Sequence, residues 1–159
     1  MALGSNLAGD HASPEELLEA ALSFFSKAGL PVLRWSCWWR SSSWPDPSGN
    51  EYRNGVAIVE ATITPEETIR RLLEIEGRFG RTRDARNADR TLDLDLIDHG
   101  GSVMHSPGLT LPHPRAHERL FVMGPLAEIA PDWRHPVLGL TASDLAARAP
   151  VGRDARPAR

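Results

Sequence analysis

The sequence predicts an α+β sandwich of the ferredoxin-like kind, a βαββαβ order with an additional C-terminal hairpin and helices. Three observations predict it: two segments carrying full helix-start signals, β-prone stretches around them, and a period-2 run of leucines and aspartates over 92–97. At 159 residues the chain has room for a single core.

Met1–Leu3 can supply a short first strand. Ser13-Pro14-Glu15-Glu16 places a capping hydroxyl, a proline at the first helical position and a glutamate at the third, ahead of Leu17, Leu18, Ala21, Leu22 and Phe25. Gly29 follows, so a helix is expected over about 14–28. Val32–Trp39 and Val56–Ile63 are rich in β-branched and aromatic residues, and Pro45, Pro47, Ser48, Gly49 and Asn50 mark a loop between them. Thr64-Pro65-Glu66-Glu67 repeats the helix-start grammar before Ile69, Leu72, Leu73 and Ile75, which predicts a helix over about 65–78. Leu92, Leu94 and Leu96 then alternate with Asp93 and Asp95, a strand with one apolar and one acidic face. His99-Gly100-Gly101 turns the chain back, and Leu120–Ile129 and Thr141–Arg148 read as further helices. Residues 1–149 are expected to form one domain. Residues 150–159, with two prolines and three arginines, are expected to fray.

Lys and Arg number 18 against 21 Asp and Glu, a net charge of −3, so no overall positive field draws the molecule to nucleic acid or to an anionic membrane. Cys37 is the lone cysteine, which excludes an internal disulfide or a cysteine-based zinc site and suits a reducing cytoplasm. A soluble, cytoplasmic protein is expected.

The segment 81–95 carries the densest chemistry. Asp93 and Asp95, two apart on a strand, project side by side with Cβ atoms roughly 6–7 Å apart. Two such carboxylates can hold one or two Mg²⁺, or they can be a solvated face. Arg81, Arg83, Arg86 and Arg90 precede them, and guanidinium forks suit phosphate oxygens, so phosphoryl transfer from a nucleotide is one reading. Arginine is also simply the usual cation here, since Lys27 is the only lysine. Lys27-Ala28 fits no P-loop, and the protein-kinase signatures are missing. His113 and His117 lack the accompanying glutamate of a zinc helix. Trp35, Trp38, Trp39 and Trp44 cluster within ten positions and read as packing, with Trp44, in the polar loop, as a candidate ligand contact. Tyr52 and Asn54 share a strand face and join a stacking ring to an amide that can read a heterocycle.

Gly4-Ser5-Asn6-Leu7, Tyr52-x-Asn54, Arg90-Thr91-Leu92-Asp93-Leu94-Asp95-Leu96 and Leu111-Pro112-His113-Pro114-Arg115 through Arg119, Phe121 and Pro125-Leu126-x-Glu128-Ile129-Ala130-Pro131 stand in one order along the chain. Together they resemble the 6-hydroxymethyl-7,8-dihydropterin pyrophosphokinase family over about residues 2–136. The resemblance implies pyrophosphate transfer from ATP to the pterin's hydroxymethyl group, with release of AMP, in folate biosynthesis. It also implies Asp93 and Asp95 as ligands of two Mg²⁺, Arg81 and Arg90 as phosphate clamps, and Arg83 and Arg119 as further positive contacts. Glu76, Thr110, His113 and the backbone around Ile97 would hold ATP. The pterin would lie between Tyr52 and Phe121, bonded to Asn54 and to backbone around Ser42, Ser43 and Trp44. The chain departs from the family's usual pattern at Asn87-Ala88-Asp89, where Trp-Gly-Pro is common, and at Gly108, where an arginine often stands. A non-catalytic nucleotide- or pterin-binding module with the same fold is the alternative. An RNA-binding domain ranks behind both, because its sheet would show aromatics where this one shows acids.

Overall fold

A computed structural model describes residues 1–43, 46–80 and 91–158. One antiparallel sheet is built from β1 (Ala2–Ser5), β2 (Val32–Trp35), β3 (Trp39–Ser41), β4 (Tyr52–Val59) and β5 (Asp93–Asp95), in the order β5-β1-β4-β3, with β2 also on β4. Helices α1 (Pro14–Phe25) and α2 (Pro65–Arg78) join these strands, which gives the expected βαββαβ arrangement. A hairpin, β6 (Met104–Ser106) and β7 (Leu109–Leu111), and helices α3 (Leu120–Ile129) and α4 (Ala142–Arg148) follow. Among the described residues no helix is long and apolar enough to cross a membrane.

The helices start where their caps put them. Ser13, Thr64 and Thr141 each accept the backbone N–H three residues on, and Asp144 answers Thr141 to close a capping box. α1 ends at Phe25, earlier than expected. The Leu30 N–H bonds back to the Phe25 carbonyl at 3.0 Å and Gly29 takes φ +73°, a left-handed stop only glycine makes cheaply.

Sheet register decides which side chains meet. Gly4 pairs with Asn54 and with Asp93, Asn54 with Trp39, and Ala2 with Val56 and Asp95. Directly opposed residues share a face, so Asp93, Gly4, Asn54 and Trp39 form one transverse row and Asp95, Ala2 and Val56 the next. The opposite face carries Leu3, Ala57 and Leu94 into a core with Leu17, Leu18, Phe25, Leu72 and Ile75 of α1 and α2. On the acidic face α3 covers Ala2 and Val56 with Val122, Met123, Leu126 and Ile129. At the far end of the first row the Trp39 ring packs on bare backbone at Gly124 of α3.

The stretch expected as one strand over Val32–Trp39 is broken. Ser36 pairs with Val56 through its N–H (2.9 Å) and its hydroxyl, which accepts the Val56 N–H (3.0 Å). The register between Trp35↔Ala57 and Trp39↔Asn54 then shifts by one residue, a bulge. Trp38 lies across bare backbone at Gly55, where a Cβ would come within 2.5 Å of its ring. Strand β4 begins at Tyr52, earlier than Val56, because Tyr52–Asn54 are claimed by β3 and β1. It ends at Val59, and the Glu60 N–H turns to the Pro31 carbonyl.

The expectation of a frayed tail is corrected over residues 150–158. Arg156–Pro157 form β8 on the free edge of β3, Ala155 is buried, and Val151 bridges Arg119. Backbone pairing outside the reach of local pattern supplies what the polar composition lacked.

Candidate active site

The acid pair sits where the edge strand meets an open face. Leu94 points into the core and holds β5 down, so Asp93 and Asp95 stand half-buried on the other side. His113 Nε2 and an Arg119 terminal nitrogen each lie 3.8 Å from Asp95 Oδ2. The His113 N–H donates to the Ile97 carbonyl at 2.8 Å, and His113 Nδ1 accepts the Arg115 N–H at 3.1 Å. Nδ1 is thereby the acceptor, so the proton of the neutral ring sits on Nε2 and faces Asp95. Burial holds the His113 pKa below the ordinary histidine value, although the Asp95 charge opposes the shift.

Beyond β5 opens a cleft of about 760 Å³. Ile69, Leu72 and Leu73 of α2 give it an apolar wall, and Asp95, Thr110 and His113 give it polar groups. Thr110 Oγ1 is 2.8 Å from His105 Nδ1 across the β6–β7 hairpin. Glu76 also lines the cleft, with its carboxylate turned inward: Oε1 accepts the Leu94 N–H at 2.7 Å, and the residue is 2% exposed. Gly108, at the tip of the hairpin, takes φ +79°, a left-handed conformation that favours glycine over any side chain with a Cβ.

On the other side of the acids, Gly4 leaves a bare floor. A Cβ there would come within 3.4 Å of Asn54 Oδ1, so the glycine keeps open the step from Asp93 to Asn54, two strand spacings or about 10 Å. Asn54 is buried and its Nδ2 donates to Ser41 Oγ at 2.9 Å. Ser41 is a diagonal neighbour of Asn54 across the β3–β4 register and is opposed by Tyr52. The sequence reading leaves Ser41 out; alternation from Trp39 marks its face, but only the register brings it to Asn54. Ser42 is exposed, its N–H is taken by Asp154 Oδ2 at 2.6 Å and its hydroxyl bonds to the same carboxylate, so what it offers a ligand is its carbonyl. Ser43 is half-buried under Gly49. Phe121, half-buried at the start of α3, has the Arg119 guanidinium 5.8 Å from its ring centre.

The structure therefore brings Glu76, Asp95, Thr110 and His113 to one cleft, and Ser41, Tyr52 and Asn54 to one sheet face, with Asp93 and Asp95 between. Trp44, Arg81, Arg83 and Arg90, and the departure at Asn87-Ala88-Asp89, lie outside the described residues. Among the described residues no three His, Cys, Asp or Glu side chains cluster as a metal cage. A pair of hard carboxylates without a third protein ligand suits Mg²⁺, which keeps waters and takes substrate phosphates as its remaining ligands.

The sequence model of the family described as 7,8-dihydro-6-hydroxymethylpterin-pyrophosphokinase (HPPK) matches residues 1–131, most of the chain and every element of this site but the C-terminal segment. The chain belongs to that family. Among its relatives is the 2-amino-4-hydroxy-6-hydroxymethyldihydropteridine pyrophosphokinase of Synechocystis sp., 45% identical over 114 residues, which cover 72% of this chain and 58% of the relative. The Pseudomonas aeruginosa protein of the same name is 38% identical over 139 residues, 86% of this chain and 82% of its own length. The folic acid synthesis protein fol1 of Pneumocystis carinii is 33% identical over 141 residues, 89% of this chain and 18% of that much longer protein. The match thus spans somewhat over half of the Synechocystis protein and most of the Pseudomonas one.

Proposed function

We propose that the chain transfers the terminal pyrophosphate of ATP to the hydroxymethyl oxygen of 6-hydroxymethyl-7,8-dihydropterin, releasing AMP, as a Mg²⁺-dependent step of folate biosynthesis. The observation that carries this reading is the transverse row Asp93–Gly4–Asn54, which sets a bare floor and a heterocycle-reading amide on one side of an acid pair whose other side opens on the apolar-walled cleft. Family membership supports it. Two ions on Asp93 and Asp95 and a monomeric, cytoplasmic protein belong to the same reading.

ATP would lie with its base against Ile69, Leu72 and Leu73 and its phosphates toward Asp95, His113 and Arg119. Asn54 and the Ser42 carbonyl would hold the polar edge of the pterin while Tyr52 and Phe121 flank its ring. The hydroxymethyl oxygen then forms a bond to the β-phosphorus as the bond from that phosphorus to the α,β-bridging oxygen breaks. The electron pair leaves with AMP, and the hydroxyl proton goes to solvent. Mg²⁺, when bound, would neutralise phosphate charge that the two carboxylates alone repel. Arg119 supplies a permanent positive charge beside the same phosphates, and its place near Asp95 keeps it aimed. No side chain has to become a nucleophile, so the work is alignment and charge neutralisation.

The test is an assay of AMP with ATP, Mg²⁺ and the reduced pterin, with each omitted in turn, beside calorimetric titration of both substrates. AMP that requires all three supports the enzyme. Binding of both ligands without AMP instead identifies a non-catalytic module on the same fold.

A further inference from the structure

We propose that residues 151–158 form a strap that sets the pterin-binding half of the site, with Gly152 and Asp154 as positioning residues for Phe121 and Ser42. The proposal rests on the pterin site described above.

The strap ties together two walls remote in sequence. At one end the Leu120 N–H donates to the Val151 carbonyl at 2.9 Å and the Val151 N–H to the Glu118 carbonyl at 3.0 Å. That pairing fixes the segment carrying Arg119 and Phe121. Gly152, at φ +69°, then lays bare backbone on the ring: a Cβ there would come within 2.5 Å of Phe121 Cδ1. Both the backbone angle and the contact call for glycine. A turn closed by the Ala155 N–H on the Gly152 carbonyl (2.9 Å) leads to the other wall.

There Asp154 Oδ2 accepts the Ser42 N–H at 2.6 Å, Arg156 and Pro157 pair with Arg40 and Trp39, and the Ala158 N–H donates to the Trp38 carbonyl at 2.8 Å. The strand so held carries Ser41, the partner of Asn54. An exposed carboxylate bonded to a backbone N–H is a short, charge-assisted contact that sets where the chain leaves β3. It also determines what Ser42 can show a ligand. With the N–H engaged, the remaining carbonyl is an acceptor, which suits a heterocycle edge bearing N–H and amino donors, as an aminopyrimidinone does.

The experiment compares wild type with Asp154→Ala, Asp154→Asn and Gly152→Ala in steady-state AMP formation, varying pterin and ATP separately, and in pterin binding followed by tryptophan fluorescence without nucleotide. Losing the bond in Asp154→Ala should raise the pterin KM and the dissociation constant about fivefold, the equivalent of one hydrogen bond, with kcat and the ATP KM within about twofold of wild type. Asp154→Asn keeps an acceptor oxygen and should recover most of the loss. Gly152→Ala should shift the pterin KM in the same direction through the Phe121 ring; if it fails to fold, the Asp154 pair decides alone. Normal wild-type turnover with an unchanged pterin KM in Asp154→Ala overturns the strap and leaves the functional reading standing. A uniform loss of kcat and both KM values that Asn does not rescue reduces the segment to fold support and also overturns it. Wild type that forms no AMP overturns the functional reading and this proposal with it.

Discussion

Glu76 Oε1 accepts the backbone N–H of Leu94 at 2.7 Å, with Glu76 itself 2% exposed. The bond joins α2 to the edge strand that carries both acids. A carboxylate in that position satisfies an edge N–H that would otherwise be buried without a partner. Glu76→Ala is therefore expected to cost about 1–3 kcal/mol of unfolding free energy, whereas Glu76→Gln, which keeps an acceptor oxygen, should cost about 1 kcal/mol or less. Urea unfolding of the two variants measures the difference. Equal losses would show that the bond to Leu94 is not what Glu76 contributes.

Asp93→Asn and Asp95→Asn keep the shape of a half-buried side chain and remove its charge. The account predicts a fall in kcat of about 100-fold or more for each, with the unfolding midpoint nearly unchanged because Leu94 still anchors the strand. Kinetics with circular dichroism as the folding control tests this. Near-normal turnover in Asp95→Asn would remove that carboxylate from the metal site.

Ser41 matters through Asn54. Ser41→Ala takes away the acceptor of the Asn54 amide in a buried setting, which should cost about 1–3 kcal/mol of stability and raise the pterin KM, with the ATP KM unchanged. Thermal unfolding and substrate-saturation curves read the two effects separately.

Cys37 is exposed yet poorly reactive by this structure. Partial burial of the sulfur, then its S–H bond to Glu128 (3.0 Å) and that carboxylate's charge, push the thiol up to about 11. A raised value means less thiolate at pH 8, by about 100-fold against a thiol at 9, so alkylation should be slow there and accelerate tenfold per pH unit until about 11. Glu128→Gln lowers the thiol's pKa and should speed alkylation at pH 8 by roughly tenfold. Stopped-time alkylation read by mass spectrometry measures both rates.

The helices were legible because their signals are local: Ser13, Thr64 and Thr141 cap at the expected positions, and the apolar spacing in α1 and α2 reads directly as a buried face. Strand limits were less so. The start of β4 at Tyr52 and the bulge at Ser36 follow from pairing with β1 and β3, which no local pattern encodes. In the site, the shared face of Asp93 and Asp95 and that of Tyr52 and Asn54 could be read from strand alternation alone. Ser41, Gly152 and Asp154 could not. Asp154 meets Ser42 across 112 residues of chain, and its only local context is a polar, proline-containing stretch that argues for disorder.

The most direct measurement follows the β-phosphorus. With ATP labelled there, Mg²⁺ and 6-hydroxymethyl-7,8-dihydropterin, the account predicts that the label moves onto the pterin in step with unlabelled AMP. Label left on ADP, with a single phosphate on the pterin, would contradict it.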